Sequence, residues 1–261
     1  MVKRVKGRSE RKAECLCSPP FARFPCSSFL LLSLLILLFV FGACAPSNSS
    51  TKGDGSSMGN DQKGGRVVYA ALGDSTGVGV GAKDGGYVAR LFARIKRQRP
   101  ASSLTNVCVS GAETEDVLRT QIKLALAAQP TLITLGIGIN DVGHGVTLER
   151  FSGNYEEIVT RLKAGSSAPI VITNIPDISL APAIPAIMRD EVYRRVNLFN
   201  EQIKEIASRH ELIVVDAYTA TRDVISSHPE FFSDDGFHPS DEGYERWAEM
   251  MWPTVKSAIG E

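Results

Sequence analysis

Four short polar clusters carry residue types that could do chemistry together. Gly73-Asp74-Ser75-Thr76, Ser110-Gly111-Ala112 and Gly138-Ile139-Asn140-Asp141 each follow a short apolar run. Asp234-Asp235-Gly236-Phe237-His238-Pro239-Ser240 lies near the C-terminus, beyond a fifth apolar run and a short helical stretch. A serine hydroxyl is a poor nucleophile unless a base takes its proton, and the base needs an acid to orient it. Asp235 stands three residues before His238, a spacing that lets its carboxylate hold one imidazole nitrogen and leaves the other free for Ser75. Acyl transfer also needs donors for the developing oxyanion, worth about 3–4 kcal/mol each. The Ser75 backbone N–H, the Gly111 backbone N–H and the Asn140 side-chain amide are the candidates. Asp74 and Asp141 read as structural carboxylates that bond local backbone amides. Asp234 is the rival of Asp235 as the acid. No role is assigned to His144, His210 or His228.

These clusters need a scaffold that brings them together. Short apolar runs recur at 67–72 (VVYAAL), 104–109 (LTNVCV), 131–137 (TLITLGI), 169–175 (PIVITNI) and 212–217 (LIVVDA). Between them lie helical spacings: Val88, Leu91, Phe92 and Ile95; Val117, Leu118, Ile122 and Ala125; Val192, Val196, Phe199, Ile203 and Ile206. Near-continuous apolar strands separated by amphipathic helices predict an α/β domain over 66–261, with a five-stranded parallel sheet covered on both faces. In such a sheet the carboxyl ends of the strands share the edge where ligands bind. All four clusters fall there.

Gly-Asp-Ser after the first strand, Gly111 after the second, Gly-x-Asn-Asp after the third and Asp-x-x-His near the C-terminus resemble the four signature blocks of the SGNH (GDSL-type) hydrolases. The resemblance implies a flavodoxin-like three-layer α/β/α sandwich and hydrolysis of carboxylic esters or thioesters, with no metal or cofactor. It makes Ser75 the nucleophile, Asp235 and His238 the acid and base, and Ser75, Gly111 and Asn140 the oxyanion hole. Two other readings stand beside it. A non-catalytic ligand-binding lipoprotein could retain the fold. A dinucleotide-binding domain would use Gly77-Val78-Gly79-Val80-Gly81-Ala82, which fits G-x-G-x-x-A, but the acid that motif needs about 20 residues on is missing between Asp84 and Glu113.

The N-terminus has a different character. Residues 1–28 carry seven basic and two acidic residues, so the overall balance of 29 Lys+Arg and 29 Asp+Glu conceals a basic head and an acidic body. That balance argues against a nucleic-acid partner. Phe29–Phe41 is an uncharged run, shorter than the roughly 20 residues of a spanning helix and matching a signal-peptide core. Gly42-Ala43-Cys44 then resembles a bacterial lipobox, with Phe41 departing from its aliphatic preference. Residues 1–43 are expected to be a signal peptide, and 44–65 a flexible tether rich in Ser and Gly. Cleavage before Cys44 with lipidation would anchor the chain on the outer side of the cytoplasmic membrane. Cleavage after Ala45 would release a secreted protein, and a retained signal anchor is the third outcome. Cys108 is the one cysteine of the body and reads as a small buried hydrophobe. The domain is expected to act as a monomer on a small-molecule or envelope acyl ester. Within the loop Asn174–Asp190, the residues Ile178, Leu180, Ile184, Ile187 and Met188 either line an acyl pocket or pack on the following helix.

Overall fold

The computed structural model describes residues 65–225 and 227–261. The signal-peptide run, Cys44 and nearly all of the tether lie outside them. Five parallel strands form one sheet: β1 Val68–Gly73, β2 Ser103–Asn106, β3 Leu132–Gly136, β4 Ile170–Thr173 and β5 Ile213–Val215. Their order is β2-β1-β3-β4-β5. The chain steps from β1 to one side and then returns to build on the other, so the topological switch lies between β1 and β3. This is the flavodoxin-like order, and ligands bind at its switch point.

The helices are α1 Ser75–Val78, α2 Tyr87–Gln98, α3 Thr114–Asp116, α4 Ile122–Ala127, α5 Ile139–Gly143, α6 Leu148–Gly165, α7 Arg189–His210, α8 Ala217–Ile225 and α9 Asp241–Ala258, with a π-helical stretch over Val117–Gln121. Strand residues alternate between the two faces of the sheet. Ala70, Leu72, Ile133, Leu135, Ile170 and Ile172 face a core built with α4, α6 and α7. Tyr69, Ala71, Leu132 and Val171 face a second core built with α2 and α9. The five α7 positions spaced for a helix are all buried in the first core, each worth about 1.5–3 kcal/mol of transfer free energy. α6 is capped by Thr147, whose hydroxyl accepts the Arg150 N–H, and α9 by Ser240, which accepts the Gly243 N–H.

One expectation is corrected. β5 is an edge strand, and Ile213 and Val214 remain 39% and 42% exposed, so its apolar run is not covered on both faces. Leu118, in the π-helical stretch, is partly buried and packs against the first core. Cys108 is partly buried, against the α2–α9 core.

Candidate active site

β1 ends at Gly73, whose φ of 154° and close approach to β3 both call for glycine: a Cβ there would lie 2.3 Å from the Gly136 carbonyl oxygen. The buried Gln121 side chain clamps this residue, its Oε1 accepting the Gly73 N–H and its Nε2 donating to the Gly73 carbonyl, both at 2.8 Å. Asp74 then caps α1. Its Oδ1 accepts the Thr76 N–H at 2.9 Å and the Thr76 hydroxyl at 2.8 Å, as expected of a structural carboxylate. Ser75 follows in a fixed backbone.

Ser75 Oγ lies 3.0 Å from His238 Nε2, and His238 Nδ1 lies 2.6 Å from Asp235 Oδ2. An ionised carboxylate only accepts, so Nδ1 donates to it, and in the neutral imidazole Nε2 is then the acceptor for the Ser75 O–H. The other oxygen of Asp235 accepts the Phe237 and His238 N–H groups at 2.8 Å and the Ser233 hydroxyl at 2.9 Å. Burial works to raise the Asp235 pKa, but these bonds and the one from His238 outweigh it and hold the carboxyl far below the usual range. The loop is pinned at its base by Ser233 N–H to the His238 carbonyl and Ser240 N–H to the Phe231 carbonyl. Asp234 makes none of these contacts to His238.

The second and third clusters meet beside β1. Asn140, in the first turn of α5, donates one amide hydrogen to the Ala112 carbonyl at 2.9 Å, leaving its second hydrogen. Asp141 fixes the same junction by accepting the Thr114 N–H and hydroxyl. Gly111 sits between them with φ 79° and open space where a Cβ would point, so its conformation, not crowding, demands glycine. The remaining histidines pair elsewhere: His144 with Glu113, His210 with Glu156 and His228 with Glu230.

A family model of the GDSL-like lipase/acylhydrolases matches residues 71–246, from the end of β1 into α9. The chain belongs to the GDSL-like lipase/acylhydrolase family. It is a hydrolase acting on ester bonds. The spore germination lipase LipC of Bacillus licheniformis is 27% identical over 205 residues, covering 71% of this chain and 94% of that protein. Among solved structures, the lipase/acylhydrolase from Enterococcus faecalis superposes with TM-score 0.58 at 24% identity, covering 73% of this chain and 96% of that one. A catalytic mutant of an acetylxylan esterase from Geobacillus stearothermophilus gives TM-score 0.62 at 20% identity, covering 76% and 95%. Both structures share the fold of this family member.

A cavity of about 260 Å³ opens beside Ser75 and His238. The expectation that the Asn174–Asp190 loop lines it holds, among the five apolar residues singled out, only for Ile178. Leu180, Ile184, Ile187 and Met188 do not line it, and Ile187 is 93% exposed. Pro176 and Ala181 of the same loop line it beside Ile178, and its other apolar walls come from α8, α9 and Phe231, Phe232 and Phe237, positions whose spacing reads as ordinary core.

Asp74 leads to a stability prediction. Its Oδ2 is buried with no hydrogen-bond partner among the described residues. Burial pushes its carboxyl up to about 6, against the opposing pull of the Thr76 bonds and of His238. Because the folded value exceeds the unfolded one, its contribution to stability is full below about pH 4 and is lost as the pH rises through about 6. The loss amounts to on the order of 2–3 kcal/mol. Asp74→Asn should therefore lose several degrees less Tm between pH 4.5 and 7.5 than the parent. Parallel Tm–pH curves for the two proteins would refute this.

Proposed function

We propose that the chain cleaves carboxylic esters or thioesters through an acyl-enzyme on Ser75, with His238 as base and Asp235 as the acid that orients it. The observation that carries this is the continuous hydrogen-bonded line from Asp235 through His238 to Ser75 Oγ. Ser75 Oγ attacks the substrate carbonyl as its proton passes to His238 Nε2. The oxyanion is met by the Ser75 and Gly111 N–H groups and the second Asn140 amide hydrogen. The imidazolium, stabilised by Asp235, then protonates the departing alcohol or thiol. Water repeats the sequence on the acyl-enzyme: His238 takes its proton, and Ser75 leaves with the acid as the second product. No step calls for a metal or cofactor. A serine-directed phosphonate should label Ser75 alone, and peptide mapping that finds the label on another serine overturns the assignment.

The reading extends to location. The basic head, the thirteen-residue apolar run and Gly42-Ala43-Cys44 support export, with Cys44 lipidated and residues 46–65 acting as the tether. One acyl chain binds a bilayer only marginally, whereas two or more hold a protein stably. Cys44→Ser should move the enzyme from the membrane fraction to the soluble fraction and leave turnover of a soluble ester unchanged. A native protein found soluble and cleaved after Ala45 would show the secreted form instead.

A further inference from the structure

The cavity beside Ser75 has a direction. Ile139 and Ile178 bound it near the sheet edge, and it then runs between two helices, with Val224 on the α8 side and Trp247 and Met250 on the α9 side. Its charged lining is already engaged: Asp177 is bonded by Ser179 and approached by Arg222, while Arg246 pairs with Glu249 at the exposed surface. From Gly243, near the catalytic loop, to Met250 the cavity follows α9 for seven residues, about 10 Å at roughly 1.5 Å per residue. An extended chain advances about 3.3–3.6 Å for every three backbone bonds, so 10 Å accommodates roughly eight bonds. Volume agrees with length. An apolar cavity of about 150 Å³ holds a six-carbon ring, and 260 Å³ by the same ratio holds about ten carbons.

Resting on the proposed acyl-enzyme chemistry, we propose that this slot is the acyl chamber and that it selects straight medium-length acyl chains of about eight carbons. An acetyl group would leave most of it unfilled. A sugar would turn its hydroxyls toward Ile139, Val224 and Met250, whose side chains offer no hydrogen-bonding groups. The acyl half is the occupant because it stays on Ser75 through both half-reactions. The leaving group must depart and a water must take its place beside His238, which an apolar slot does not favour.

The test uses the full chain and p-nitrophenyl esters from two to sixteen carbons, with octyl acetate as the inverse substrate. kcat/KM should rise about fourfold per added methylene, the equivalent of ~0.8 kcal/mol each, and stop rising near eight carbons. Val224→Phe should move the optimum to shorter chains and Met250→Ala to longer ones, a gain that a misfolded variant cannot show. A flat profile, an optimum at acetyl, or a gain that follows the alcohol chain of octyl acetate overturns the chamber assignment. Phosphonate labelling separates the two claims: labelled Ser75 with a flat profile defeats only the chamber, whereas absent labelling and hydrolysis defeat the underlying mechanism.

Discussion

Replacing Ser75 with alanine is expected to lower kcat for ester hydrolysis by on the order of 10³–10⁶ and to leave the fold intact. The structural part follows from the neighbours. The backbone around Ser75 is held by Gln121 on Gly73 and by Asp74 on Thr76, and neither clamp involves the Ser75 hydroxyl. Its Oγ bonds His238 Nε2, and a methyl group fits the same buried space. The chemical part follows from the loss of the atom proposed to receive the acyl group, while the proposed oxyanion donors and the apolar cavity remain. The residual rate should come from those donors and from substrate binding. KM should change far less than kcat. Far-UV circular dichroism, Tm and steady-state kinetics on one preparation test both halves. A variant that keeps a tenth of the parental kcat would remove Ser75 from the mechanism.

Asp235→Asn should cost about 10²–10⁴ in kcat, for a reason that lies in the imidazole rather than in lost charge alone. The carbonyl oxygen of the new amide could still accept the Phe237 and His238 N–H groups that shape the loop, so the backbone should hold. The amide nitrogen, however, would face His238 Nδ1 as a donor. Nδ1 would then have to accept, and the single imidazole proton would move to Nε2. An Nε2 that carries a proton cannot take one from Ser75. The lower end of the range applies if solvent around the half-exposed Asp235 lets the amide rotate away. Phosphonate labelling of Ser75 should slow in parallel, since it depends on the same proton transfer. Asp234→Asn, which touches none of these bonds, should behave as the parent. Equal activity in Asp235→Asn and the parent would exclude Asp235 as the orienting group.

The residues of the proposed triad could be picked out in the sequence because chemistry restricts them, and the structure brings the three side chains into one hydrogen-bonded line. Few residue types can serve as nucleophile, base and orienting acid, and Asp-x-x-His distinguishes Asp235 from Asp234 by spacing alone. The central strands were readable too, since β1 and β3 are buried on both faces and show it as unbroken apolar runs. Where competing physics enters, the reading fails. β5 shows the same pattern but lies at the sheet edge, and nothing local in its sequence says so. The π-helical stretch over Val117–Gln121 is not announced by the spacing of its apolar residues either. Gln121 looks like a surface residue on an amphipathic helix, and only its two bonds to Gly73 reveal its task. The cavity is the least legible part. Val224, Trp247 and Met250 satisfy a helical spacing that buried core residues share, and the proline-rich loop drew attention to side chains that point elsewhere.

The proposed acid and base, Asp235 and His238, share one short loop, whereas Ser75 stands 163 residues before His238 in the chain. The Asp235–His238 pairing is therefore a local product that can form as soon as its own turn closes. The Ser75–His238 contact is global, because it exists only when α9 has settled against α2 and the first strand. Synthesis delivers the proposed nucleophile early and its proposed base almost last. On the proposed mechanism, hydrolysis would wait for the last helix to take its place.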